Sequence, residues 1–203
     1  SGYNTIEYIT ISTTGNSTDF GDLTIARYLG IAACSNGIRG VFGGGNTGSA
    51  ATNVIDYITI ASTGNATDFG DMTSDRRNLS SCSNGPRGIF AGGESGSDVN
   101  TIEYITITTT SNATDFGDLT AAKGYLASCS NGPRGVFAGG YGGGYLNTID
   151  YITIATTGNA TDFGDLTSSR YGVGACSDGT KGVFGGGSTG SYVNTIDYIV
   201  MAT

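Results

Sequence analysis

Carboxylates, thiols and amides recur at fixed intervals in this chain, and these are groups from which sites are made. Asp-Phe-Gly stands at 19–21, 68–70, 115–117 and 162–164, each time followed by a second aspartate. Phosphoryl-transfer enzymes use that triplet once, after a catalytic loop and a Gly-rich loop. Four copies exclude that role. Paired carboxylates such as Asp19 and Asp22 are oxygen donors of the kind Ca²⁺ takes. No further acids cluster beside them, and side chain to backbone hydrogen bonding in a turn accounts for them. Cys34, Cys82, Cys129 and Cys176 come one per repeat. Were their strand to line a central axis, four thiolates would converge as at a zinc site. The spacing reads instead as reduced, buried, metal-free thiols packed as small apolar groups. Asn16, Asn65, Asn112 and Asn159 each open an Asn-x-Ser/Thr sequon, and each is equally a turn residue.

Catalysis breaks repeat symmetry with unique acids, bases or nucleophiles. The non-repeated acids are Asp75, Glu94, Asp98 and Asp178, which make no evident pair in the sequence. Histidine is absent, which removes the commonest general base and the commonest metal ligand. We therefore expect no catalytic, cofactor-binding or metal-binding residues and a protein that is not an enzyme. The formal net charge of −8 is unfavourable for nucleic acid or an anionic membrane surface. No apolar run approaches the roughly 18 residues of a membrane span. Asp22, Asp71, Asp118 and Asp165 precede Arg27, Arg76, Lys123 and Arg170, and Arg39, Arg87, Arg134 and Lys181 follow a turn. This periodic charge reads as structural pairing within each unit, worth little where exposed.

The elements that must carry these groups repeat with them. Tyr8, Tyr57, Tyr104, Tyr151 and Tyr198 are 49, 47, 47 and 47 residues apart. A period in the forties points to a propeller or a solenoid. Units this small cannot bury a core alone, so 1–203 reads as one domain. Its repeats run over about 4–52, 53–99, 100–146 and 147–193, with a partial copy at 194–203. Asn4 to Ile11 reads as a strand rich in β-branched and aromatic residues. Thr14 to Ser17 is a turn, and Thr18 to Thr24 a shorter, polar strand suited to a sheet edge. Ala32 to Ser35 is a strand of small residues, and Asn36-Gly37 a strong hairpin signal. Arg39 to Gly45 is its partner, ending in glycines. Four antiparallel strands per unit describe a propeller blade. The third strand type occurs five times and the others four. That count predicts an all-β propeller of four blades, one a composite closing blade shared between the termini, with the 194–201 strand in the ring and the 4–11 strand displaced and free to recruit a second chain; two chains closing one larger ring, or a piece of a longer propeller, are the alternatives.

The order of strands and the motifs within it resemble the kelch repeat of β-propellers. Gly92-Gly93, Gly139-Gly140 and Gly186-Gly187 match its double glycine, and Tyr104, Tyr151 and Tyr198 its tyrosine. Its tryptophan is missing; Phe20, Phe69, Phe116 and Phe163 are the candidates for that packing role. The near-identity of the copies is similar to that in repeat proteins of marine phage virions. That likeness implies a virion or extracellular surface rather than cytoplasm. Ser17 to Thr24 is similar to the Asp-box of sialidase propellers, a structural turn.

Comparison among the repeats separates constant from variable connections. The turns after the first and third strands hardly change. Those after the second and fourth do: Tyr28-Leu29-Gly30 against Arg76-Arg77-Asn78 and Gly124-Tyr125-Leu126, and Glu94 to Ser97 against Tyr141 to Tyr145. Alternating strand direction sends both variable connections to one face. Binding residues concentrate on loops held by a rigid scaffold. The candidate contacts are Tyr28, Arg76, Arg77, Tyr125, Tyr141, Tyr145, Tyr171 and Tyr192. The expectation is a scaffold or binding module for protein or glycan. An engineered or amplified repeat without a native ligand and a propeller glycosidase are the alternatives.

Overall fold

The computed structural model describes residues 2–201. Every element is a strand: β1 (Tyr3–Tyr8), β2 (Thr18–Arg27), β3 (Ala32–Ser35), β4 (Arg39–Gly43), β5 (Thr52–Thr59), β6 (Thr67–Arg76), β7 (Ser80–Ser83), β8 (Arg87–Ala91), β9 (Glu94–Ser95), β10 (Ser97–Asp98), β11 (Thr101–Thr106), β12 (Thr114–Asp118), β13 (Ala127–Ser130), β14 (Arg134–Ala138), β15 (Thr148–Thr153), β16 (Thr161–Asp165), β17 (Gly174–Ser177), β18 (Lys181–Gly185) and β19 (Ile196–Val200). Three complete antiparallel sheets follow one another: β3-β4-β5-β6, β7-β8-β11-β12 and β13-β14-β15-β16. A two-stranded sheet, β1-β2, precedes them, and a three-stranded sheet, β17-β18-β19, ends the series. Asn36, Asn84 and Asn131 accept hydrogen bonds from the backbone N–H of Arg39, Arg87 and Arg134, which closes the first hairpin of each unit.

The composite sheet expected from the strand count does not form. Neither claimant to the shared third strand is displaced: β1 pairs with β2, and β19 with β18. The reason is chain entropy, because closing the short β1–β2 loop costs less than joining β2 to a strand at the far end.

The first strands lie side by side, so that Ser81 donates to the Ala33 carbonyl and Ser128 to the Ser81 carbonyl. Ala33, Ser81, Ser128 and Ala175 face a shared recess. Strand alternation turns the neighbouring cysteines the other way, away from that recess. The Sγ atoms of Cys34, Cys82 and Cys129 lie 2.7, 2.7 and 2.9 Å from where a Cβ on Gly88, Gly135 and Gly182 of the next sheet would be. The thiols thus seal boundaries between sheets rather than ring an axis. Cys82 and Cys129 are buried, and Cys34 is partly so. Cys176, expected to be buried, is exposed, and among the described residues no later sheet packs on its own.

Each fourth strand carries a bulge. Ile55 pairs with Gly70 and Asp56 with Asp68, leaving Phe69 as the extra residue. The bulge bends the strand, and Phe69 is 2% exposed. Its ring meets Tyr57 edge-on at 5.9 Å. The pairs Tyr8–Phe20, Tyr104–Phe116 and Tyr151–Phe163 repeat the arrangement. The sequon asparagines have a structural task as well. Asn65, Asn112 and Asn159 accept the backbone N–H of Asp22, Asp71 and Asp118 on the preceding fourth strand.

Four of the periodic cations pair between units, not within them, and are buried, whereas Arg39, Arg87, Arg134 and Lys181 lie over Tyr57, Tyr104, Tyr151 and Tyr198 of their own sheets. Arg27, Arg76, Lys123 and Arg170 end or follow the fourth strands. Each reaches the third strand of the next sheet, at Asp56, Glu103, Asp150 and Asp197. Thr24, Thr73, Thr120 and Thr167 donate hydroxyl hydrogen bonds to the same four acids. Burial lowers the pKa of Arg27, Arg76 and Lys123 from the ordinary value, opposed by the acid beside each.

Candidate binding site

The variable connections meet as the strand directions require. Isolated bridges join Leu29 to Asn46, Arg77 to Glu94, Gly124 to Tyr141 and Tyr171 to Ser188. Each links the connection entering a unit to the loop after that unit's second strand. The double glycines make this possible. A Cβ on Gly93 would lie 2.7 Å from the Arg77 carbonyl oxygen, so no larger residue permits that approach.

Four predicted tyrosines come together here. Tyr145 stacks on Tyr171 at 5.4 Å with 12° between planes. Tyr125 and Tyr141 meet Tyr171 edge-on at 5.8 and 6.4 Å, and Tyr141 meets Tyr145 at 5.9 Å. Tyr125, Tyr141 and Tyr145 nevertheless stay 40, 39 and 40% exposed. Tyr192 is exposed and lines a small hollow with Tyr171. Tyr28 is also exposed, on the side of Arg77. Arg76 does not belong to the set. It is fully buried against Glu103, because it occupies the position that holds the sheets together.

A polar rim adjoins the aromatic cluster. Arg77 Nε donates to Glu94 Oε2 at 2.9 Å. Glu94 and Asp98, which looked unrelated in the sequence, are register partners across the β9–β10 hairpin. Burial and then the neighbouring Glu94 raise the pKa of Asp98 above the ordinary carboxylate value. Burial, followed by Glu94, likewise raises that of the Tyr125 phenol.

Backbone conformation marks one residue out. Tyr125 has φ 56°, in the left-handed region. Its counterparts are Gly30, Asn78 and Gly172, with φ 68°, 57° and 66°. A hydrogen-bond ladder imposes the conformation: Asn78 N–H donates to the Gly30 carbonyl, Tyr125 to Asn78, and Gly172 to Tyr125. Glycine and asparagine suit such a site; a bulky side chain there is strained. Sequence reasoning selected Tyr125 for its side chain and missed this. The Gly/Asn character of its counterparts was the available signal.

Among the described residues no group of three or more His, Cys, Asp or Glu side chains converges in a way that would hold a metal ion. No family model matches the chain, and no curated protein matches it significantly.

Proposed function

We propose that this chain is a non-enzymatic propeller with kelch-like repeats and that its variable-loop face binds a glycan. The observation that carries the reading is Tyr125, a bulky residue kept at a left-handed position that its counterparts give to glycine or asparagine. Strain held in one repeat alone is a mark of function. Its ring completes a cluster of partly exposed tyrosines whose mutual contacts hold them rigid. Rigid aromatic faces offer large contact area at low entropic cost. They suit the apolar face of a sugar ring, while Arg77, Glu94 and Asp98 supply hydrogen bonds at the edge. Glycan-array binding followed by titration calorimetry tests the proposal. Binding lost in Tyr141→Ala/Tyr145→Ala supports it. A wild-type protein that takes no glycan but captures a protein ligand through the same tyrosines overturns the glycan assignment.

One observation favours a glycosidase as second reading: Glu94 and Asp98 are paired carboxylates, one with a raised pKa. A pair of carboxylates, one of them serving as proton donor, is the apparatus of glycoside hydrolysis. Product analysis on any glycan bound, with Asp98→Asn as control, separates the two readings.

A further inference from the structure

The unfinished sheets at the two ends of the series lack complementary parts. Among the described residues the β17-β18-β19 sheet has no fourth strand, and β1-β2 has no first or second. We propose that the sheet β17-β18-β19 of one copy docks on β2 of a second copy, head to tail, with β19 replacing β1 beside β2.

The complete sheets define what each exposed group is missing. At an internal boundary Cys129 Sγ lies 4.0 Å from Met201 Sδ of the next sheet. The counterpart of Cys129 in the last sheet is Cys176, which is exposed. The counterpart of Met201 in the first complete sheet is Ile60. Ile107, Ile154 and Met201 are 0, 0 and 2% exposed, whereas Ile60 is 43% exposed. Ile60, Ile58, Phe42, Ile6 and Phe20 line an unfilled cleft of about 410 Å³. The first two strands of a preceding sheet would occupy that position. At an internal boundary Gly43 receives the ring of Phe90, 2.7 Å from where its Cβ would be. Gly185 of the last sheet has no such ring against it, and Phe42 is a half-buried ring with none of these glycines beneath it. Tyr57, Tyr104 and Tyr151 each meet the phenylalanine of their own fourth strand. Tyr198 has no fourth strand beside it and is 66% exposed. Phe20 on β2 is the phenylalanine it lacks. Each unfilled position on one end thus has its filler on the other.

Anchoring decides which third strand yields. Asp197 on β19 holds Arg170 and Thr167, and Ile199 and Met201 join the core beside it. Glu7, at the same position on β1, is hydrogen-bonded by exposed Ser17. Exchange replaces the β1 ladder and the Tyr8–Phe20 contact with a β19 ladder and a Tyr198–Phe20 contact, and adds burial of Cys176, Phe42 and Ile60, so the association is driven by apolar area. Such an interface is heterologous and joins copies in series.

The test is sedimentation of the full chain over a wide dilution series, with Cys176→Arg and Ile60→Asp. Both sites are exposed, so folding should survive, and matching melting curves would establish that. The wild type should associate. Each variant alone should lose association, and equimolar mixing should restore a heterodimer, since each variant keeps the face its partner has lost. Labelling of Cys176 in the wild type should slow as association proceeds, a readout that needs no variant. A wild type that stays monomeric overturns the proposal, whether Cys176 is reactive or is protected by closure within one chain. Unaltered association of either variant, or failure of mixing, does so equally.

Discussion

Arg76 on β6 and Glu103 on β11 meet across the boundary between two sheets with both side chains fully buried. The guanidinium also donates to the Gly92 and Thr101 carbonyls, and Thr73 donates to the same carboxylate. Removing one partner leaves an unpaired buried charge, which costs about 3–5 kcal/mol. Arg76→Met and Glu103→Leu should each lower the urea midpoint by that equivalent. The apolar double variant Arg76→Met/Glu103→Leu should lose less than the two single variants together. Full additivity in the double-mutant cycle would show that the pair does not act as a unit.

Lys123 occupies the same position with a shorter reach. Its ammonium has Thr148 and, 2.9 Å away, Asp150. The arginine counterparts fork between backbone carbonyls and the acid. Lys123→Arg should therefore stabilise the protein, by about 0.5–2 kcal/mol as repeat-consensus changes commonly do. A lowered melting temperature would mean the pocket at this boundary is too tight for a guanidinium.

Much of the fold was legible because it rests on local chemistry. The β-branched and aromatic run of Asn4 to Ile11, the Asn-Gly turns and the fixed period suffice for strands, hairpins and repeats. The partner of each buried cation was not legible, since Arg27 passes Asp22 to reach Asp56 on another sheet. Arg76 was placed on the binding face for the same reason. The Glu94–Asp98 pairing depends on a hairpin found in one loop, with no periodic signal behind it. The tyrosine cluster was legible as a set on one face, but its ring-to-ring geometry was not.

Asp98 gives the site a pH signature. Its folded pKa is raised, so the stability it contributes is present below the unfolded value of 3.8 and lost as pH rises through the folded value. Asp98→Asn removes that loss. The variant should match the wild type in acid and exceed it in melting temperature at neutral pH, the gap opening just above the ordinary carboxylate range. A gap that stays constant with pH would mean Asp98 is not the titrating group.

The two faces should separate in their responses. Tyr141→Ala/Tyr145→Ala should abolish glycan binding at a stability cost confined to the lost ring contacts, about 0.5–1.5 kcal/mol each. Gly132→Ala lies in the constant turn at φ 92°. It should cost about 1 kcal/mol through backbone strain and spare affinity. The reverse pattern in calorimetry and thermal melts would place recognition on the constant-turn face.

Tyr125 offers the sharpest separation of packing from function. Its φ of 56° costs about 1–3 kcal/mol for a residue of its type, and Asn78 shows that asparagine accepts the same ladder position. Tyr125→Asn relieves that strain while losing an edge contact with Tyr171, worth about 0.5–1.5 kcal/mol. The two effects nearly cancel or favour the variant, so its melting temperature should equal or exceed the wild type's. Affinity should fall at least tenfold, because the cluster loses the ring nearest the Arg77–Glu94 rim. A variant that unfolds more easily and still binds would make Tyr125 a packing residue. One that is unchanged in both would remove it from the site.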